Sequence, residues 1–305
     1  MLSSRRFVFV TGKGGVGKTT VTAALATALA AEGRRVLVTV CSSPEWLGRL
    51  LGTPPPDTRI SELVPGVSAV HLVPEVAFEE YTRLVLGGTV FRVAMRTRWV
   101  QGFLNGVPGL REWALLGKAW YHASEREHGR ERFDVVLFDA PATGHGLEML
   151  RVPRVIAEAV PSGKLRRDAD AAWEMFRDAE RSGVLVVTLP EELPATETIE
   201  LVTKVRDSLG LPVAGLVVNF VLDQQFSAAQ AETLGSFQGL VPDDAGERML
   251  ALASHRAGRE LIQRQSLERL SSLNLPTLKL PLLLGDAAGR AAVESLAGRL
   301  SAVVR

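Results

Sequence analysis

The run Gly12-Lys13-Gly14-Gly15-Val16-Gly17-Lys18-Thr19-Thr20 follows the apolar stretch Phe7-Val8-Phe9-Val10 and leads into an alanine-rich segment. A glycine, four residues and then Gly-Lys-Thr, set between a strand and a helix, is the pattern of a phosphate-binding loop. Glycines let successive backbone N–H groups turn inward as a nest for an anion, and the following helix starts where its unpaired N–H groups can join them. Lys18 is then placed to reach β- and γ-phosphates, and the Thr19 hydroxyl to ligate Mg²⁺. Gly14, Gly15, Val16, Gly17 and Thr20 make up the rest of the cradle. An ordinary glycine turn does not need Lys13 directly after its first glycine. Either Lys13 is a surface lysine, or it adds positive charge to the phosphates of a nucleotide held by a neighbouring subunit.

Working outward, short β-branched runs recur with helical stretches between them: Arg35 to Val40, Phe133 to Asp139, Gly183 to Leu189, Val213 to Phe220 and Thr277 to Pro281. They are apolar throughout rather than alternating, as strands buried on both faces are. Helices between such strands imply right-handed crossovers and a doubly wound, mostly parallel α/β sheet, with ligands at the carboxyl ends of the strands. Asp139 stands at such an end, available for an Mg²⁺ or water contact. After it, Ala140-Pro141-Ala142-Thr143-Gly144-His145-Gly146 is either a switch loop that senses a γ-phosphate or a plain strand-to-helix turn.

The totals restrict the partners. With 35 Lys plus Arg against 34 Asp plus Glu, the net charge of +1 gives no global field toward nucleic acid or an anionic membrane. One cysteine, Cys41, excludes an intrachain disulfide framework and a CxxC metal staple from this chain, which suits a reducing compartment. The segment Met1 to Arg6 is too short for a signal peptide before the first strand, and no apolar run approaches the roughly 20 residues that span a bilayer. The expectation is a cytoplasmic protein with no integral membrane segment and no nucleic-acid partner; a peripheral membrane partner stays open.

We expect one domain over 1–305, with a helical insertion at about 74–130 and 151–182. The interval from Cys41 to Arg132 is long for one crossover and should carry extra helices outside the sheet. Leu110, Trp113, Gly117 and Trp120 share a helical face, as do Leu165, Ala169, Ala172 and Phe176, and Trp99 lies four residues from Phe103. Such stripes are either core or the apolar groove of a client-binding subdomain. Arg92, Arg96 and Arg98 read as a solvated face, and Pro54-Pro55-Pro56 as a rigid local break. A helical pair is expected from Val241 through Arg256 and Arg259 to Leu270, and a last helix at about Gly285 to Val304.

With these motifs in place, the chain resembles the ArsA-type ATPases, the family of the arsenical-pump and tail-anchored-protein-targeting ATPases, within the wider MinD, ParA and nitrogenase-iron-protein group. GKGGVGKTT resembles the group's deviant phosphate loop, whose extra lysine, here Lys13, crosses a homodimer interface in relatives. DAPATGHGLEMLR resembles the family's second switch and gives Asp139, Pro141, Thr143, Gly144 and His145 their places. The resemblance puts Asn219 and Pro281-Leu282, with Gly285-Asp286 following, on the adenine side, and Glu197-Thr198 before the helix that links the switches. It implies Mg-ATP binding, a homodimer or a heterodimer with a paralogue, and hydrolysis coupled to a client.

Three departures qualify that implication. Where relatives carry Asp-Pro-Ala, whose aspartate orients the attacking water, this chain has Ser42-Ser43-Pro44, and Glu45 is the candidate substitute. Losing that group should slow turnover more than binding. The paired cysteines that hold zinc or arsenite in relatives are missing, and the segment between the second switch and Gly183 is short for a large client groove. The expected function is therefore a dimeric Mg-dependent ATPase switch; alternatives are a weakly hydrolysing regulatory partner of a paralogous ATPase, a chaperone for hydrophobic proteins, or a metabolic kinase or ligase. Of the five histidines only His145 falls near the nucleotide, in a structural or a sensing role.

Overall fold

A computed structural model describes residues 2, 4–86, 109–141, 143–237, 239, 241–283 and 289–304. In chain order the elements are β1 (Phe7–Thr11), α1 (Lys18–Ala31), β2 (Val36–Val40), α2 (Pro44–Leu51), β3 (Ser61–Val64), β4 (Val67–His71), α3 (Pro74–Leu86) and α4 (Leu110–Ser124). A short hairpin, β5 (Arg126–Glu127) and β6 (Arg130–Glu131), leads to β7 (Val135–Asp139), α5 (Thr143–Ala159), α6 (Lys164–Arg177) and β8 (Ser182–Thr188). Then come α7 (Glu192–Thr203), β9 (Val213–Val221), α8 (Ala228–Gly235), α9 (Ala245–Ser271), β10 (Thr277–Pro281) and α10 (Arg290–Val304).

The main sheet has the order β10-β9-β8-β1-β7-β2-β4-β3. Every neighbouring pair is parallel except β3 with β4. Every residue of β1, β2, β7 and β8 is buried, which is why their sequences run apolar without alternation. Because β1, β7, β8 and β9 point the same way, the segments that follow them emerge along one edge of the sheet. Helices cover both faces. One face packs Val8, Val10 and Val38 against α1, α2 and α10. The other packs Phe7, Phe9 and Phe138 against α4, α5, α6 and α7. There the Phe9 and Phe138 rings stack with centroids 4.9 Å apart.

Trp113, Leu110, Ala169, Ala172 and Phe176 are buried in this second core, so these positions of the two helical stripes pack against the sheet, whereas Trp120 and Leu165 at their margins are only partly buried. Trp99, Phe103, Arg92, Arg96, Arg98 and Gly285-Asp286 lie outside the described residues. The long interval after Cys41 carries more than helices. The Pro65-Gly66 turn, with Gly66 at φ 78, folds β3 back on β4 and widens the sheet by two strands. Exposed Ser61 and Glu62 interrupt the apolar run of β3, which hid it from a reading based on continuous hydrophobicity. The region expected to hold a helical pair is one 27-residue helix, α9, whose partner is the preceding α8. Asp244 caps it by accepting from the Glu247 N–H at 2.8 Å, and Glu247 accepts in return from Asp243 N–H. Among the described residues no helix is long and apolar enough to cross a membrane.

Candidate active site

The glycine loop leaves the carboxyl end of β1, the strand between β7 and β8. Gly12 has φ 148, and a Cβ there would lie 2.1 Å from the Val187 carbonyl oxygen of β8, so no side chain fits. Gly15 and Gly17 also have positive φ, at 82 and 88. Gly17 is the N-cap of α1 with no side-chain cap, which leaves the first N–H groups of the helix available to an external anion. Gly14 and Gly15 are exposed, whereas Val16 is buried and anchors the loop in the core. Thr20 lies in the first turn of α1, half-buried.

Lys18 folds back over its own loop. Its ammonium donates to the Gly12 carbonyl at 3.1 Å and the Lys13 carbonyl at 3.0 Å. Burial lowers its pKa and the nearby Asp139 charge partly offsets this. Asp139, at the end of β7 and only 2% exposed, accepts from the Thr19 hydroxyl at 2.7 Å and from the Thr22 hydroxyl at 3.4 Å. Burial pushes its carboxyl up to about 6, against the hydrogen bonds from both threonines and the charge of Lys18. Thr22 was not singled out from sequence; its spacing of three from Thr19 puts it on the same face of α1, and that was the signal for it. Cys41 follows β2, whose Val40 pairs with Asp139; burial and the Asp139 charge push its thiol up, away from thiolate reactivity.

Lys13 meets an acid of its own chain: its ammonium lies 2.7 Å from Glu197 Oε1 on α7. Next to Glu197, buried Thr198 donates to the Thr188 hydroxyl at the end of β8 at 2.8 Å. Asn219, buried on β9, donates through Nδ2 to the Val16 carbonyl at 3.0 Å, and a Cβ on Gly17 would come within 2.4 Å of that nitrogen. Asn219 thus braces the phosphate loop. Pro281 pairs with Val221, and Leu282 N–H donates to the Val221 carbonyl at 2.8 Å, so the three residues assigned to the adenine side come from adjacent strand ends.

Ser42 and Ser43 are exposed after β2, with Ser43 in the left-handed region at φ 60. Glu45 is exposed on the first turn of α2 and makes no hydrogen bond or ion pair among the described residues. The expected switch loop is shorter than its sequence suggested: α5 begins at Thr143, so Thr143, Gly144 and His145 are already helical. Gly146 lets that helix approach the end of β1, where a Cβ would come within 2.9 Å of the Thr11 hydroxyl, itself buried without a hydrogen-bond partner among the described residues.

A central parallel strand, a glycine loop and a helix that starts with Lys-Thr, beside a strand ending in a buried aspartate, define an α/β protein of the phosphate-binding-loop NTPase class. The profile of the anion-transporting ATPases (ArsA type) matches residues 5–167, more than half of the chain, and the chain belongs to that family. It is 28% identical over 301 residues to ATPase BagA of Mycobacterium tuberculosis, covering 92% of this chain and 88% of that protein. It is 26% identical over 249 residues to the arsenical pump-driving ATPase of Acidiphilium multivorum, covering 72% of this chain and 40% of the relative. With ATPase GET3 of Kluyveromyces lactis the identity is 22% over 263 residues, covering 73% and 74% respectively.

Proposed function

We propose that this chain binds Mg-ATP at Gly12 to Thr20, hydrolyses it, and works as a dimeric switch that couples nucleotide state to a client. The observation that carries the reading is the 2.7 Å hydrogen bond from Thr19 to buried Asp139, beside the Lys18 ammonium. A hydroxyl backed by one carboxylate suits Mg²⁺, which takes few protein ligands and keeps phosphate oxygens and water for the rest. Held by the Thr19 hydroxyl with Asp139 behind it, magnesium would supply neutralisation of phosphate charge. Lys18 exchanges its two loop carbonyls for phosphate oxygens, and Asp139 holds the Thr19 hydroxyl in place. Lys13 leaves Glu197 for the nucleotide of the second subunit. Helices α3 to α6 form the added helical subdomain, which offers a hydrophobic client its docking region.

Calorimetry tests the first part: saturable uptake of Mg-ATP by the wild type and its loss in Lys18→Ala are expected, and normal binding by the variant would contradict it. Light scattering tests the second: mass should double with Mg-ATP, and should not do so in Lys13→Ala. A second reading, a slowly hydrolysing regulatory half of a heterodimer, is favoured by exposed Ser42 and by Glu45 having no partner among the described residues. Phosphate release from wild type and Ser42→Asp separates the two. A large gain supports the regulatory reading, and brisk wild-type turnover opposes it.

A further inference from the structure

On the face of the sheet opposite α1, away from the phosphate loop, a cleft of about 290 Å³ opens between α3, α4, the start of α6 and the segment that precedes β3. None of its lining residues belongs to the nucleotide site. Ile60, Ala77 and Trp120 give it an apolar wall, and Tyr121, 44% exposed, adds a second aromatic surface. Aromatic side chains bind an apolar body over a large area with little loss of conformational freedom.

The polar lining is biased toward cations. Arg59, Lys118, Arg132 and Lys164 face Glu80 and Asp168. Three of the cations have acids: Lys118 pairs with Glu80, Lys164 with Asp168, and Arg132 with Glu125, which lies outside the lining. Arg59 has no acid partner among the described residues, although a guanidinium presents a planar fork suited to a carboxylate. Lys118 makes the case stronger. An ammonium carries three donors, yet Glu80 is its one partner among the described residues while its side chain is only 12% exposed. Donors held that far from solvent call for a further acceptor, and an anion in the cleft would supply it where charge attraction is less screened than at an open surface.

We propose that this cleft is a second ligand site, independent of the phosphate loop, for a small carboxylate with an apolar aromatic body. The carboxylate meets the unpaired charge of Arg59 and the spare donors of Lys118, and the body lies along Trp120. A single unpaired cation fits a monoanion better than a phosphate dianion, and the volume fits a ligand at the small end of the usual range.

The probe is 2-naphthoate, titrated calorimetrically into the full chain, with 2-naphthamide as its neutral counterpart and 2-naphthyl phosphate as the dianion. One saturable site is expected, weakened at least about tenfold by Arg59→Gln and again by Lys118→Met, with the amide binding far more weakly. Arg59 is exposed, so its substitution leaves the core intact. Lys18→Ala should leave naphthoate binding unchanged; loss of binding there would place the probe in the phosphate loop and overturn the proposal. Absence of saturation, equal binding of the amide, or indifference to Arg59→Gln would overturn it as well. Tighter binding of the phosphate would overturn the choice of carboxylate.

Discussion

Asn219 offers the sharpest test of how the phosphate loop is held, because it brackets two neighbours at once: it donates to the Val16 carbonyl at 3.0 Å, and its amide nitrogen would lie 2.4 Å from a Cβ on Gly17. Asn219→Ala removes the donor and leaves a buried carbonyl without its partner, a loss of about 1–3 kcal/mol. Gly17→Ala forces an L side chain to φ 88, which costs about 1–2 kcal/mol. It also pushes Asn219 away from Val16, so the single substitution should cost about 2–5 kcal/mol altogether. In the double variant the hydrogen bond can be lost only once. Its cost should match that of Gly17→Ala alone and fall short of the sum of the singles by about 1–3 kcal/mol, well outside the few tenths expected of independent sites. Urea unfolding of the four proteins without nucleotide, read at constant slope, measures the cycle. Additivity within about 0.5 kcal/mol would refute the brace. An Asn219→Ala protein as stable as wild type, with only its preference among nucleotides altered, would show that the side chain reads the base instead.

Other expectations follow from the same contacts. Glu260, on the buried face of α9, accepts from the N–H groups of Gln225 and Phe226 and from Arg256 at 2.9 Å. Burial pushes its carboxyl up, but these donors outweigh burial and hold it below its ordinary 4.5. A carboxyl depressed in the folded state adds stability above its unfolded pKa and loses it as pH falls through the folded value. Glu260→Gln should therefore cost about 1.5–3 kcal/mol at pH 7 and progressively less toward pH 3, in melts followed across that range. Asp139→Asn should raise the magnesium needed for half-maximal phosphate release about 10- to 100-fold, the scale for losing the support of a metal ligand; an unchanged magnesium titration would speak against Thr19 as that ligand. The Lys13–Glu197 pair is part-exposed and worth about 0.2–1 kcal/mol per subunit. If it must break twice on dimerisation, Glu197→Ala should tighten Mg-ATP-dependent association about 2- to 30-fold by ultracentrifugation. No change would mean that Lys13 does not exchange partners.

The parts legible in the sequence were those whose physics is local. Strands buried on both faces announce themselves as apolar runs, and Gly12 to Thr20 carries its own turn chemistry, so the parallel sheet and the place of the loop in it could be read directly. What stayed hidden depends on neighbours far away in the chain. Nothing within Asn219's own surroundings says that its amide is committed to Val16, 203 residues away, and the acid facing Lys13 comes from a helix 184 residues on. β3 escaped because an edge strand half open to water has no reason to be apolar. The length of α9 was obscured by its buried Ser254, Glu260, Gln263 and Ser266, while Met249 and Leu252 face outward, so the helix lacks a simple apolar stripe.

The close approach of Gly12 to Val187 has a temporal side. In a nascent chain Gly12 to Thr20 are made well before the surfaces that give this segment its shape, Val187 on β8 and Asn219 on β9. A half-made polypeptide would hold the signature residues without the rigid cup they need. The loop is thereby completed only when β8 and β9 have taken their places beside the first strand.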